Sequence, residues 1–169
     1  MFQIIRKFFA DPDRHVLRDE MTRAVNDGLD LPAAVAAHEQ WTRRLDAFLR
    51  GDSTEDLRPE TVCFDDRCEL GKWIHGPGRA RLGHLPLFTS LLEDHRQFHF
   101  EAAKVVTLTH SRLTDEAART MAGPYRKHAE RVTIALQELI DITSGSTRSS
   151  SETHRSRKFL GRSRAPKAA

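Results

Sequence analysis

A cysteine followed, one helix later, by a His-x-x-x-His pair constrains this chain more than any other feature. Cys68 stands in the run Asp65-Asp66-Arg67-Cys68-Glu69-Leu70-Gly71-Lys72-Trp73, near the expected first turn of a short helix capped by Asp65 or Asp66. His95 and His99 lie in a longer helical pattern from Leu85 to His110. Two imidazoles four residues apart on an α-helix share one face about one turn from each other, so both can reach a single ion. A further nitrogen comes from His38. In the helix that begins at Leu31, apolar residues recur at Leu31, Val35, Trp41, Leu45 and Phe48, and His38 falls on that stripe. His95 does likewise with Phe88, Leu91 or Leu92, Ala102 and Val105. One cysteine and three histidines from three helices make a closed tetrahedral set suited to Zn²⁺, which accepts nitrogen and thiolate ligands.

The competing reading is ordinary burial. A single inward histidine is more often a hydrogen-bonded core residue than a ligand. Three beside a cysteine are harder to bury without a shared partner, because each unpaired polar group is costly in an apolar interior. His128 also falls on an inner stripe, either as a satisfied core residue or as a group close to the site. Glu39, Asp66 and Asp94 are candidate acceptors for ligand imidazoles, or else solvated acids. Cys63 is expected as a small hydrophobe, with oxidative pairing to Cys68 as the alternative. His15, His75, His84, His110 and His154 lack convergent partners and are expected at the surface. A zinc protease of the His-Glu-x-x-His type is excluded, since Arg96 occupies the general-base position. A di-iron bundle would need more inward carboxylates than the pattern supplies. No catalytic residue is expected.

The rest of the chain reads as helical throughout. Asp30-Leu31-Pro32 is a start signal, with Asp30 as N-cap and proline in the first turn, and Gly51 stops that helix. Asp52 to Asp65 is a polar connection containing Pro59. Gly71 allows close approach of another helix or the metal, and Gly76-Pro77-Gly78 is expected to end the motif helix. The last helix begins near Thr114 and carries Ala118, Met121, Tyr125, Val132, Leu136 and Leu139 inward, with a kink at Gly123-Pro124. No strand pattern, internal repeat or phosphate loop is present, so the fold class is all-α. The expected organisation is an amphipathic helical segment over 1–29, a zinc-binding bundle over 30–143 and a disordered basic tail over 144–169.

At its metal-ligating residues the sequence resembles the chemoreceptor zinc-binding (CZB) domains. The residues that carry the likeness are His38 with Trp41, then Cys68-Glu69-Leu70-Gly71-Lys72-Trp73, then His95 with His99, and the likeness extends roughly from Leu29 to Thr143. The resemblance implies an antiparallel four-helix bundle in which a short motif helix carries the cysteine ligand, with zinc held by His38, Cys68, His95 and His99. It also implies a cytoplasmic sensor, often a homodimer, that signals zinc availability or oxidant exposure. Family members are often fused to a chemoreceptor signalling region or a cyclic-di-GMP synthase domain. These 169 residues contain neither, so the expected partner is a chemoreceptor or diguanylate cyclase type protein acting in trans. A constitutive structural-zinc module for dimerisation or docking is the alternative.

Charge and cysteine usage narrow the partners. From Ser144 onward seven basic residues face one acid, a surplus of six, so the formal charge of +3 leaves the first 143 residues at −3. The basic character therefore belongs to the tail, and no specific nucleic-acid contact is expected. Only two cysteines occur, which fits a reducing compartment better than a disulfide scaffold. No apolar run approaches the roughly 20 residues that span a bilayer, so no integral membrane segment is expected. The apolar start is broken by Arg6 and Lys7 and lacks a cleavage site, so a cytoplasmic location is expected.

Overall fold

The computed structural model describes residues 14–26 and 28–144. The expectations for the amphipathic start, Met1 to Phe9, and for the basic tail lie outside those residues. What is described is an all-helical bundle. Helix α1 spans Arg14–Asn26, α2 Leu31–Arg50, α3 Pro59–Val62, α4 Glu69–Trp73, α5 Arg79–Leu82, α6 Pro86–His110, α7 Thr114–Thr120 and α8 Arg126–Thr143. Helices α2, α6 and α8 pack on one another, α1 lies against α8, and α3 lies against α6. The short link Ser111 to Leu113 turns the chain back from α6 into α7.

Local signals place α2 as its sequence requires. Asp30 caps it, its side chain accepting the Ala33 N–H at 2.9 Å, and Pro32 sits in the first turn. At the other end Gly51 takes the left-handed conformation, φ 75°, and its N–H reaches back to the carbonyls of Ala47 and Phe48. The apolar stripe between these ends buries Leu31, Ala34, His38 and Leu45. Helix α1 is a separate helix rather than an extension of α2, the two being divided by a turn at Gly28, φ 120°.

The two Gly-Pro sequences act differently, the first as a break and the second as a wide, π-type turn. As expected, Gly76-Pro77-Gly78 ends the motif helix: the backbone leaves helical geometry at Gly76 (φ −112°, ψ −111°), and a separate short helix, α5, follows. At Gly123-Pro124 the turn Met121–Tyr125 joins α7 to α8. A wider turn accommodates a proline, which has no N–H to donate and would clash in a regular helix. It also shifts the helical phase. Ala117 and Thr120 are therefore buried in α7, while Ala118, expected inward by counting back from Tyr125, is exposed.

Around the cysteine the cap differs from expectation. Helix α4 starts at Glu69, and Cys68 itself is the N-cap, its sulfur accepting the Gly71 N–H at 3.2 Å. Asp65 instead pairs with His75 at 2.9 Å. The backbone of Asp65 lies directly on Gly71, where a Cβ would stand 1.8 Å from the Asp65 carbonyl oxygen. The close approach that Gly71 permits is thus the loop that presents Cys68, neither a helix nor a metal. Gly71→Ala should force that backbone apart and lower stability by at least the roughly 1–3 kcal/mol typical of overpacking. Gly51→Ala meets open space and only the left-handed strain of roughly 1–2 kcal/mol. Thermal unfolding of the two variants checks this, and equal melting temperatures would contradict it.

Candidate metal centre

His38 on α2, Cys68 before α4, and His95 and His99 on α6 converge in the bundle interior. One ligand-type atom from each lies within 4.8 Å of the other three. The three histidines are buried and Cys68 is half-buried. Cys68 Sγ stands 3.3 Å from His95 Nε2 and 3.8 Å from His99 Nε2. All four residues expected from the sequence are brought together, and among the described residues no other cluster of this kind forms.

Two imidazoles are oriented by the backbone. His38 Nδ1 donates to the Ala34 carbonyl one turn earlier at 2.7 Å, and His99 Nδ1 donates to the Val62 carbonyl at 2.8 Å. A carbonyl only accepts, so each ring carries its proton on Nδ1 and offers the Nε2 lone pair. Backbone carbonyls thus take the role anticipated for acids. Glu39 and Asp66 are exposed, and Asp94 instead accepts from His128 Nδ1 at 2.8 Å, with Arg131 at 3.4 Å. His128 is therefore satisfied by an acid outside the cluster. Cys63, expected as a small hydrophobe, is exposed at the end of α3, its thiol directed at the Glu60 carbonyl.

Sequence reasoning missed α3 and Phe98. The Pro59-Glu60 start of a helical turn, followed by the lone apolar Val62, was the available signal for α3. Phe98 is fully buried with its ring 5.1 Å from that of His38, 5.3 Å from His99 and 5.2 Å from Tyr125. The Tyr125 hydroxyl meets the Thr42 hydroxyl at 3.1 Å, one turn beyond His38 on α2. The imidazoles are thus wedged by an aromatic ring that also touches the turn leading into α8.

Burial governs the electrostatics. It depresses the basicity of His38 and His99 against the opposing pull of their carbonyl partners, and it pushes His95 down to about 2. Burial raises the Cys68 thiol above its ordinary range, and the Gly71 N–H offsets only part of that. Three neutral imidazoles offer lone pairs, while burial opposes formation of the Cys68 thiolate. A divalent cation meets both conditions. Zinc bonds of 2.0–2.1 Å to nitrogen and 2.3 Å to sulfur separate tetrahedral donors by about 3.3–3.6 Å, close to the sulfur–nitrogen distances found. The residues present fit Zn²⁺.

Fold and site together define a helical zinc-binding module. The family model for the chemoreceptor zinc-binding domain matches residues 38–106, a span that begins at His38 and takes in the other three residues of the cluster. That stretch of the chain is similar to this zinc-binding family. No curated protein and no solved structure matches the chain.

The sign of the pH dependence follows from the depressed histidines. Below their ordinary value near 6.5 the unfolded chain binds protons that the folded one refuses. Stability of the metal-free protein is therefore full above about 6.5 and lost as pH falls toward the depressed values, about 2 for His95. Urea unfolding at pH 7.5 and pH 5 should show the lower midpoint at pH 5; an unchanged midpoint would contradict the burial of neutral imidazoles.

Proposed function

We propose that His38, Cys68, His95 and His99 are the ligands of one Zn²⁺ and that the chain is a sensory or regulatory module. The observation that carries this reading is the convergence of four donors from separate segments, two of them pre-oriented by backbone carbonyls. Bound zinc would supply a positive charge that holds the Cys68 sulfur as thiolate. Four protein donors fill a tetrahedral site, so we assign the module no catalytic role. The proposed unit is residues 30–143, flanked by the amphipathic segment 1–29 and the basic tail 144–169.

In this reading the signal is a change of helix packing. The four residues tie α2, the Cys68 loop and α6 together, so free energy of ligation biases how those elements sit. Phe98 and Tyr125 extend the contact from the imidazoles to the turn before α8. Zinc availability is one stimulus. An oxidant such as hypochlorous acid is the other, because Cys68 is the single soft, oxidisable donor and its conversion to sulfenate weakens its ligation. The proposed setting is a cytoplasmic homodimer that signals to a chemoreceptor or diguanylate cyclase type partner in chemotaxis or cyclic-di-GMP control. The scarcity of cysteine agrees with that compartment. Among the described residues no helix is long and apolar enough to cross a membrane.

A structural-zinc dimerisation or docking module is the second reading, favoured by the depth at which three helical segments meet at the cluster. Graded chelation separates the two. A sensor should release zinc reversibly to a chelator of moderate strength while keeping its helical circular dichroism; global unfolding on release would instead identify a staple. In a cobalt-substituted sample, a four-coordinate thiolate spectrum that disappears in Cys68→Ala is expected, and an unchanged spectrum would remove Cys68 from the site.

A further inference from the structure

The three histidines of the cluster are not equally supported. His38 is held through Nδ1 by the Ala34 carbonyl of its own helix, and His99 by the Val62 carbonyl of α3. His95 Nδ1 is buried and has no hydrogen-bond partner among the described residues, although the residue is wholly shielded from solvent. Its other nitrogen, Nε2, faces Cys68 Sγ at 3.3 Å. Hence His38 and His99 are locked in the tautomer that presents Nε2 to a metal, whereas His95 is free to keep its proton on Nε2, shared with the cysteine sulfur. Ligation through Nε2 requires that proton on Nδ1, where no described residue accepts it. A buried donor without an acceptor weakens the state that creates it.

We propose that His95 is the labile ligand of the cluster, held in place by the metal, while His38 and His99 are held by the fold. The inference rests on the four-ligand reading above and adds an order to it: His95 closes last and opens first. Cys68, His38 and His99 then form a three-donor seat whose remaining position admits a competing small ligand, such as a chelator nitrogen, during exchange. The missing acceptor sets zinc affinity below what four supported ligands would give, which suits reversible occupancy. Phe98 shares its ring contacts with His38 and His99 at 5.1 and 5.3 Å but stands 6.5 Å from His95, so the least supported ring is also the least wedged by it.

Hydrogen bonds behind a ligand histidine typically contribute about 10–100-fold to metal affinity. Zinc dissociation constants of His38→Ala, His95→Ala and His99→Ala, measured on the full chain by competition with a chromophoric chelator, should therefore differ. His95→Ala should lose at least about tenfold less affinity than either of the others. A loss equal to or greater than theirs overturns the proposal. If no single substitution weakens zinc binding, the four-ligand reading itself fails, which is a different result from a wrong order.

Imidazole nitrogen NMR of the unsubstituted, zinc-loaded protein gives the second measurement and does not depend on how a variant folds. His38 and His99 should show hydrogen-bonded, downfield Nδ1 protons protected from exchange, with the His95 proton upfield of both. A His95 proton as far downfield and as protected as the other two overturns the proposal.

Discussion

Four polar donors share an apolar interior here, and the rest of the bundle is arranged around keeping them there. Burying a polar group without a partner costs free energy, and three imidazoles with a thiol in one place would be a heavy load if each were alone. The chain relieves part of it with two backbone carbonyls, from Ala34 and Val62, which leave two nitrogen lone pairs pointing at the cysteine sulfur and the third imidazole. Burial then acts in opposite senses on the two kinds of donor. It keeps the imidazoles neutral and available, and it resists ionisation of Cys68. A cation satisfies both at once, drawing on the neutral imidazoles and stabilising the thiolate, which is why the cluster reads as a metal seat.

That seat is built from segments far apart in the chain, and each is positioned by a different device. Asp30 and Gly51 fix the two ends of α2 and hence the height of His38. Gly71 lets the Asp65 backbone fold tightly against α4, so that Cys68 caps that helix with its sulfur turned inward. The His95 and His99 pair is carried on the longest helix, and the neighbouring Asp94 fastens the same turn to His128 of α8. Phe98 fills the space between rings and reaches Tyr125, whose hydroxyl returns to Thr42 on α2. Contacts therefore run without a gap from the ligand rings to the turn before α8, which gives the proposed sensing role a physical route. A route of contacts becomes coupling only if two arrangements of the bundle exist for the ligands to choose between.

Much of this was legible in the residues. Caps and prolines marked α2 and α6, the helical period put His38 and His95 on inner faces, and the four-residue spacing carried His99 with them. Four features were not legible, each for a physical reason. Counting by 3.6 assumes an unbroken helix, so the wide turn at Met121–Tyr125 moved burial from Ala118 to Ala117. A cysteine is not an obvious N-cap beside two aspartates, yet Cys68 takes that role because Gly71 brings the loop so close. Val62 contributes a carbonyl, which every residue has, so its side chain carried no signal of the bond to His99. Likewise Asp94 and His128 satisfy each other across α6 and α8, a pairing 34 residues apart that no local pattern encodes.

X-ray absorption at the zinc edge of the purified protein tests the central claim most directly. The account predicts one zinc per chain, with three nitrogen scatterers at about 2.0–2.1 Å and one sulfur at about 2.3 Å. A first shell without sulfur, or one expanded to five or six light atoms, would contradict it.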